Sequence, residues 1–398
     1  MKFSEIRKLT EASDLTFDEL AIITHFLQSN ESATRNALTL KAKPLLDRLG
    51  IKSLRPAEIK WDIPVPPTPI NSSKFTFIDL FAGIGGMRAA LQSIGGRCVY
   101  SSEWEDRAQE TYFENFGEVP FGDINSADNR DQIPKHNVLV AGFPCQAFSI
   151  AGKRGGFEDT RGTLFFQVAK ILEATRPDAF LLENVKGLLS HDSKRTIQTI
   201  LRVLREELNY YVPDPEILNA RNFGVPQNRE RVFIVGFKTK AAMNRFTYPK
   251  PSKKSITIST IMETSVVSVK YYMSTQYLQT LRRHRRRHEE KGNGFGYQII
   301  GNDQVSNAIV VGGMGRERNL VIDHRLKNFT PITHIKGQVN REGIRRMTPK
   351  EWSRLQGFPD NFIIHSSDSQ AYKQFGNSVA VPVVAAVGKQ IMDALWPK

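Results

Sequence analysis

The side chain best suited to nucleophilic chemistry in this chain is the thiol of Cys145, one of only two cysteines among 398 residues. It lies in the segment Phe-Pro-Cys-Gln (143–146), after a run of β-forming residues and before a polar segment that contains several glycines. A thiol at the end of a buried strand and the start of a loop is well placed for nucleophilic attack. Most free cysteines are instead small buried apolar residues, so the position of Cys145 alone leaves both interpretations open.

A glycine-rich turn follows the first predicted strand, in the segment DLFAGIGG (79–86). Glycines at 83, 85 and 86 let the backbone turn tightly and approach a ligand before a helix begins. The segment has neither the GxGxxG pattern of dinucleotide enzymes nor the lysine of a phosphate-binding loop. A ligand with less phosphate, such as S-adenosylmethionine, is the natural alternative.

An acidic and an aromatic residue follow the second predicted strand. Glu103 can accept hydrogen bonds from ribose hydroxyls, and Trp104 beside it can stack on an adenine ring. Asp123, which follows Gly122, can accept a hydrogen bond from an adenine amine. The alternative is a core tryptophan and two solvated carboxylates, but all three residues fall where a nucleoside site needs them.

A carboxylate and two arginines lie at the ends of two later strands. Glu183 follows the apolar run 179–182, so we expect desolvation to raise the pKa of its carboxyl. A protonated carboxyl can donate to the ring nitrogen of a pyrimidine. Arg229 and Arg231 alternate along a strand and point to one face, which suits an anionic or carbonyl-bearing ligand. Solvated charged strand ends are the alternative for all three.

The elements that position these residues alternate as strand, turn and helix from Lys74 onward. Strands are predicted at 76–81, 98–103, 137–142, 179–183 and 232–237. Helices are predicted at 86–94, 106–115, 163–175, 194–207, 349–356 and 380–395, the last packing back onto the sheet. This alternation predicts an α/β domain with a mostly parallel sheet covered by helices.

Composition divides the chain into five segments. Residues 1–60 are predicted to form a helical N-terminal extension and residues 61–73 a proline-rich linker. Residues 74–238 are predicted to form the main α/β domain, 239–343 a smaller irregular domain, and 344–398 a segment that returns to the α/β domain. The extension is either a DNA-binding or regulatory appendage or a packing element, and we favour packing.

The bulk composition fits an intracellular enzyme that meets a polyanion. Lys and Arg number 55 against 41 Asp and Glu, and the net charge of +14 favours nucleic acid as a partner. Two cysteines exclude a disulfide framework and suit a reducing compartment. The N-terminus lacks the apolar core of a signal peptide, and no apolar run is expected to span a membrane. We therefore expect a cytoplasmic protein.

Residues 74–238 and 341–395 resemble the cytosine-5 DNA methyltransferases. The resemblance rests on motifs in the family's order, which together are highly specific: FAGIGG (81–86), EW (103–104), FPCQAFS (143–149), ENV (183–185), QNRER (227–231), RRMTPKEWSRLQGFP (345–359) and QFGNS (374–378). The family implies a Rossmann-like catalytic domain, a small target-recognition domain and a cleft for duplex DNA between them. No motif position departs from the family's pattern.

The resemblance implies roles for individual residues. Cys145 is the implied nucleophile, Glu183 and Arg231 grip the flipped cytosine, and Arg229 supports them. The residues implied to hold S-adenosylmethionine are Phe81, Gly83, Gly85, Glu103, Trp104, Asp123, Ile124 and Asn377. The implied cofactor product is S-adenosylhomocysteine, and no metal is expected.

The implied chemistry explains why these residue types are needed. A thiolate that adds to carbon 6 of cytosine converts carbon 5 into a nucleophile for the sulfonium methyl group, and loss of the carbon 5 proton then expels the thiolate. Carbon 6 is inaccessible inside a duplex, so the base must be flipped out. The loop 146–162, with Gly152, Gly155 and Gly156, has the composition of a lid that closes over DNA.

The variable region, about 239–343, is expected to carry sequence recognition. Its dense basic run 282–288 suits phosphate contact, with a solvated helix face as the alternative. The loops 291–297 and 312–319, with 271–277 and 340–344, resemble the HpaII-type enzymes, which modify the inner cytosine of CCGG. The residues predicted to contact DNA are Gln146, Ser149, Arg161, Arg285, Arg286, Gln298, Arg316 and Arg318.

Other functions have less support in the sequence. A silent DNA-binding regulator of the same fold could lose Cys145 or Glu183, but both are present. An RNA cytosine-5 methyltransferase is compatible with the chemistry, but a recognition region of about 100 residues and the lack of a second cysteine near the cleft argue against it. We expect a monomer in the bacterial cytoplasm or nucleoid that binds double-stranded DNA and no membrane, and that can pair functionally with a restriction endonuclease.

Overall fold

The computed structural model describes residues 2–29, 35–51, 59–144, 164–252, 255–312, 314–331 and 337–397. The helices are α1 (Phe3–Glu11), α2 (Phe17–Gln28), α3 (Arg35–Arg48), α4 (Gly86–Ser93), α5 (Asp106–Phe116), α6 (Ala127–Arg130), α7 (Leu164–Thr175), α8 (Arg195–Arg202), α9 (Lys240–Arg245), α10 (Thr275–Glu289), α11 (Pro349–Gln356), α12 (Asp368–Asn377) and α13 (Val381–Leu395). The strands are β1 (Phe75–Leu80), β2 (Gly96–Ser102), β3 (Val138–Ala141), β4 (Ala179–Val185), β5 (Glu216–Asn219), β6 (Gln227–Asn228), β7 (Glu230–Phe237), β8 (Ser306–Asn307), β9 (Leu320–Ile322) and β10 (Ile344–Arg346).

Six strands form the central sheet, in the order β2-β1-β3-β4-β7-β5. The first four strands of that order are parallel, whereas β7 pairs antiparallel with both β4 and β5. The predicted α/β alternation and the five predicted strands are confirmed. Strand β5 was not predicted from the sequence. It has only four residues, and among them only Leu218 is buried.

The helices pack on both faces of the sheet, and two apolar clusters fill the space between. The predicted helices are confirmed, although the 194–207 segment is α-helical only over Arg195–Arg202 and continues as one π-helical turn. Helix α13 lies against α4 so closely that a Cβ atom on Gly388 would be 2.7 Å from Leu91 Cδ2. The C-terminal segment thus returns to the sheet, as predicted.

The expectation that no apolar run is long enough to span a membrane is wrong by the criteria of length and composition alone. Asp368–Leu395, which contains α12 and α13, is long and apolar enough, with a mean hydropathy of 1.4 in its most apolar window. Half of that window is buried inside the protein. The apolar residues of α13 are therefore explained by its packing in the core.

Helices α1 to α3 precede the sheet and have an apolar cluster of their own, which includes Phe3, Ile23, Leu27 and Leu46. The extension also contacts the sheet, because Ala21 and Leu38 belong to the same cluster as Ile78, Leu80 and Tyr100. These contacts agree with a packing role for residues 1–60.

The region after β7 is mostly irregular, with α9, α10 and short strands. A buried ion cluster joins it to the C-terminal segment, since Arg345 lies 3.1 Å from Asp323 and 2.8 Å from Glu351. Asp323 directly follows β9, and Glu351 lies on α11. The cluster therefore joins the end of β9 to β10 and α11.

Candidate active site

A cavity of about 740 Å³ opens at the carboxyl ends of β1 to β4. Parallel strands place their carboxyl ends at one edge of a sheet, where ligands of open α/β folds bind. The predicted residues that line the cavity are Phe81, Gly83, Glu103, Trp104, Asp123, Ile124, Glu183, Arg229, Arg231 and Asn377. The sheet topology therefore brings together residues that are up to 296 positions apart in the sequence.

The turn after β1 has backbone conformations that few residues adopt. Phe81 and Gly83 have φ angles of 55° and 56°, and Gly85 has φ of 82° directly before α4. A Cβ atom on Gly85 would lie 2.2 Å from the Phe116 ring. Gly85 is not among the residues that line the cavity, so the structure gives it a packing and turn role, while Phe81 and Gly83 face the predicted ligand site.

Glu103 has a structural task that the sequence did not reveal. Its carboxylate accepts hydrogen bonds from the backbone N–H groups of Gly83 at 2.8 Å, Trp104 at 3.0 Å and Glu105 at 2.9 Å. Burial raises the pKa of this carboxyl, and the three N–H donors oppose that rise. Because a carboxylate has about four acceptor positions, Glu103 holds the glycine turn and retains about one position for a ligand hydroxyl.

Trp104, Asp123 and Asn377 lie around the rim of the cavity. The Trp104 side chain is 73% exposed, so it is not the core tryptophan of the alternative interpretation. Asp123 is exposed, and its Oδ1 accepts from the backbone and side-chain nitrogens of Asn125. Ile124 behind it is buried, and Asn377 is contributed by the end of α12.

Asp79 is a cavity residue that the sequence analysis did not single out. It is 1% exposed, and its Oδ2 has no hydrogen-bond partner among the described residues. Burial raises the pKa of this carboxyl to about 8, with nearby Arg88 opposing the rise. An acid at the end of a buried strand, directly before a glycine turn, is the sequence signal that could have identified it.

Glu183 and Arg231 form an ion pair inside the cavity, with 3.2 Å between Arg231 Nε and Glu183 Oε1. The Glu183 side chain is only 10% exposed and the Arg231 side chain 17%. Burial raises the pKa of Glu183, while Arg231 and Arg229 oppose the rise, which agrees with the desolvation expected from the sequence. A carboxyl of raised pKa beside an arginine can share or donate a proton to a bound base.

Arg229 connects three parts of the chain. Its guanidinium donates to the backbone carbonyls of Ile309 at 2.8 Å, Ser378 at 2.6 Å and Gly376 at 3.2 Å. Burial lowers the pKa of Arg229 to about 9. Arg229 therefore joins the segment around Ile309 to the QFGNS segment (374–378), and it also lines the cavity.

The segment that leads to Cys145 is fixed by the strand beside it. Asn184 Nδ2 donates to the Phe143 carbonyl at 2.8 Å, and a Cβ atom on Gly142 would lie 3.8 Å from Glu183 Oε2. Pro144 lines the cavity. Cys145, Gln146, Ser149, Arg161 and the predicted lid 146–162 lie outside the described residues, but the chain enters that segment directly at the cavity beside Glu183.

The remaining residues predicted to contact DNA lie within 239–343, the segment predicted to recognise the target, and none of them lines the cavity. Arg285 and Arg286 are exposed on α10 and pair with Glu289 at 2.7 Å and Glu290 at 3.7 Å. Arg316 lies over the Tyr372 ring at 5.3 Å, and Arg318 is exposed. Gln298 Oε1 accepts from Asn307 Nδ2 at 2.6 Å. The structure leaves their contact with DNA as a prediction.

Comparison with known proteins identifies the family. A family profile described as C-5 cytosine-specific DNA methylase matches residues 75–393. The chain is 65% identical over 328 residues to Type II methyltransferase M.HpaII of Haemophilus parainfluenzae, which covers 82% of this chain and 92% of that protein. This chain belongs to the C-5 cytosine-specific DNA methylases.

Two further comparisons agree with this membership. Type II methyltransferase M1.ScrFI of Lactococcus lactis subsp. cremoris is 45% identical over 329 residues, which covers 82% of this chain and 80% of that protein. The solved structure of Entamoeba histolytica methyltransferase EhMeth has a TM-score of 0.61 over 81% of this chain and 98% of that chain, at 20% identity, and shows the likeness of fold. The predicted Rossmann-like fold and the enzyme class, DNA (cytosine-5-)-methyltransferase, are confirmed.

Proposed function

We propose that this methyltransferase uses the cavity at the carboxyl ends of β1 to β4 to hold S-adenosylmethionine beside a flipped cytosine. The observation that carries the proposal is that the residues predicted to bind the cofactor and those predicted to bind the base line one cavity. The glycine turn after β1 and the acidic residue after β2 line this cavity together with the buried Glu183–Arg231 pair. Cofactor and base would then meet at the segment that leads to Cys145.

The cavity residues fit S-adenosylmethionine. The exposed Trp104 ring suits adenine stacking, and the remaining acceptor position of Glu103 suits a ribose hydroxyl. Asp79 places an unpaired buried carboxylate oxygen in the same cavity, which suits a ligand with positive charge. The cofactor supplies an activated methyl group on a sulfonium centre. Phe81, Gly83, Asp123, Ile124 and Asn377 complete the proposed binding surface.

The proposed reaction begins when the Cys145 thiolate forms a bond to carbon 6 of the flipped cytosine. In this proposal Glu183 and Arg231 hold the ring nitrogen and carbonyl edge of the base, and Arg229 holds the surrounding segments. The raised pKa of Glu183 allows its carboxyl to keep or receive a proton as charge develops on the ring. Carbon 5 then takes the methyl group, loses its proton to a base, and the electron pair of that bond expels Cys145.

We further propose that the target is the inner cytosine of CCGG in double-stranded DNA. The 65% identity to M.HpaII extends across most of the chain, and the recognition loops resemble that type. That relative is named a Type II methyltransferase, which supports a role in protecting DNA beside a restriction endonuclease. We place the enzyme in the bacterial cytoplasm as a monomer with no required metal.

Bisulfite sequencing tests the base, the position and the target together. Plasmid DNA from cells that express the enzyme should be methylated at the inner cytosine of CCGG, and plasmid from cells that express Glu183→Ala should not. Methylation confined to another sequence would contradict the CCGG assignment. Methylation of cellular RNA with unmodified plasmid would favour the alternative RNA substrate.

A further inference from the structure

Helix α2 of the N-terminal extension places buried polar side chains against the catalytic domain. Thr24, His25 and Gln28 are 1%, 3% and 3% exposed. Gln28 Nε2 donates to the Phe116 carbonyl at 2.7 Å, and its Oε1 accepts from Arg88 Nη2 at 2.6 Å. A packing extension needs only an apolar face, so these polar contacts demand a further explanation.

Thr24 and His25 meet the edge of the sheet beside the cofactor cavity. His25 Nδ1 lies 2.9 Å from the Ala21 carbonyl and therefore donates to it, which leaves Nε2 to accept from the backbone N–H of Ser101 at 3.2 Å. Burial lowers the pKa of His25, consistent with this neutral form. The outer edge of β2 is thus closed by a side chain of α2.

The same edge continues into the segment 119–121. The Phe121 N–H donates to the Ser101 carbonyl, and the Phe121 carbonyl accepts from the Glu103 N–H, both at 2.9 Å. On its other side the segment is held by α2, because the Val119 N–H donates to Thr24 Oγ1 at 3.0 Å. The His25 ring also lies 4.4 Å from the Phe121 ring. Helix α2 and β2 therefore clamp this segment between them.

The clamped segment leads directly into the cavity wall. Gly122, Asp123, Ile124 and Asn125 all line the cavity, and they follow Phe121 without an intervening element. The first turn of α2 approaches the same point, because a Cβ atom on Gly122 would be 3.8 Å from Asp18 Oδ1. A shift of the segment 119–121 would therefore move Asp123 and Ile124 relative to Glu103 and Trp104.

We propose that α2 is a positioning element of the cofactor site, through Thr24 and His25. Thr24 fixes the segment 119–121 and His25 fixes the edge of β2, so that the adenosine-binding residues on both are held in register. This inference rests on the proposed cofactor site. It gives the N-terminal extension a role in cofactor affinity that packing alone does not require.

Paired substitutions at Thr24 test the inference in the full-length enzyme. Thr24→Val keeps the shape but removes the acceptor for Val119, whereas Thr24→Ser keeps the hydroxyl. We expect Thr24→Val to raise the Kd and KM for S-adenosylmethionine several-fold, because a segment 119–121 without this contact no longer holds Asp123 and Ile124 in place; the unpaired Val119 N–H itself lowers folding stability. Its kcat at saturating cofactor and its KM for DNA should stay near wild type, and Thr24→Ser should restore cofactor affinity.

A control variant separates positioning from loss of stability. Leu46→Ala removes apolar packing inside the α1–α3 cluster and should lower the Tm without a change in cofactor Kd. If Thr24→Val does not fold, a second pair tests the contact with β2. His25→Gln keeps a side-chain acceptor for the Ser101 N–H, whereas His25→Leu removes it. Equal cofactor affinity in Thr24→Val and wild type, or equal weakening by Leu46→Ala, would overturn the inference.

Failure of the proposed cofactor site would give a different result. Trp104→Ala changes the proposed adenine surface and leaves α2 intact. If the cofactor site is correct, this variant should weaken cofactor binding whether or not the inference about α2 holds. If Trp104→Ala weakens binding and Thr24→Val does not, only the inference about α2 is wrong. If neither changes cofactor affinity, the cofactor site itself is misplaced.

Discussion

Individual residues in this cavity owe their properties to burial more than to their chemical type. Glu183, Glu103 and Asp79 are all carboxylic acids, and burial raises the pKa of each. Their partners differ: an arginine pairs with Glu183, three backbone N–H groups donate to Glu103, and one oxygen of Asp79 has no hydrogen-bond partner among the described residues. In the proposed function, one residue type would therefore serve base binding, turn support and attraction of a positive ligand.

The nucleophile can be tested by removal and by trapping. Cys145→Ala should abolish methyl transfer while cofactor and DNA binding survive, because addition to carbon 6 needs the thiolate. Duplex DNA that contains 5-fluorocytosine should form a covalent complex with the wild-type enzyme, since fluorine cannot leave as a proton. Transfer by the variant at the normal rate, or trapping through the buried Cys98, would contradict the assignment. Denaturing gel electrophoresis measures the complex.

Asp79 predicts a pH dependence of cofactor binding. Its pKa is raised from 3.8 to about 8, so its contribution to stability is present below about pH 4 and is lost as the pH rises through 8. Attraction of a positive ligand needs the ionised form, so affinity for S-adenosylmethionine should rise between pH 7 and 9. Asp79→Asn should remove this step, which isothermal titration can measure. The same step in the variant would assign it to another group.

The two residues after β2 should separate stacking from turn support. Trp104→Ala should weaken cofactor binding by about 1–3 kcal/mol, the range for stacking of a base on an aromatic ring, with no change in Tm. Glu103→Gln should lower both cofactor affinity and Tm, because Glu103 also accepts from the turn. Titration and thermal unfolding distinguish the two patterns. A fall in Tm for Trp104→Ala would show that Trp104 is a packing residue.

At the scale of elements, α10 and the loop before β9 present arginines in different settings. Arg285 and Arg286 of α10 are exposed and pair with acids one turn along the helix, an arrangement of small energy that phosphate groups can replace. Arg316 lies over Tyr372 on α12, which restrains its position. A restrained arginine suits base recognition, and mobile exposed charges suit phosphate contact.

These settings predict different effects of substitution. Arg316→Ala or Arg318→Ala should reduce the preference for CCGG over one-base variants, by roughly 1–3 kcal/mol for a lost bidentate contact with guanine. Arg285→Ala with Arg286→Ala should weaken binding to every sequence and reduce its salt dependence. Methylation rates on cognate and near-cognate duplexes at several salt concentrations measure both effects. Identical behaviour of the two classes would show that this division of the region is wrong.

The sequence predicted well those elements whose signal is local. The bounds of α11 were predicted to the residue, and β1 and α4 to within one residue, because alternating burial and glycine turns mark them. The antiparallel direction of β7 and the scaffold contacts of Arg229 were not predictable. Both depend on partners distant in the sequence, such as Ile309 and Ser378 for Arg229. The placement of Glu183 and Asp123 in one cavity also required the fold.

At the scale of the whole molecule, buried polar groups fasten the segments to one another. Arg345 joins β10 to α11 and to the recognition region, and Gln227 donates to the Leu355 carbonyl at 2.8 Å and accepts from the Ile309 N–H at 3.1 Å. Such groups specify one arrangement of the segments, because an incorrect arrangement leaves them unpaired.

Removal of one member of the Arg345 cluster should therefore destabilise the whole enzyme. Glu351→Gln leaves Arg345 buried with a weakened partner, and we expect a loss of about 3–5 kcal/mol in the free energy of unfolding, the range for a broken buried pair. Urea unfolding measures it. The exposed pair Arg354–Asp360 provides the control, since Asp360→Asn should cost less than about 1 kcal/mol. Equal losses in the two variants would contradict the role of burial.

The clamp between α2 and β2 also has a consequence for synthesis of the chain. The three α2 contacts with Ser101, Phe116 and Val119 join residues that are 76, 88 and 95 positions apart. At a translation rate of about 5–20 residues per second, α2 is synthesised roughly 4–19 s before these partners. During this interval Thr24, His25 and Gln28, which are buried in the folded protein, stay without their partners. Helix α2 can dock only when the α/β domain has begun to emerge from the ribosome. Ribosomal pausing within 29–101 would therefore lengthen the exposure of an undocked α2.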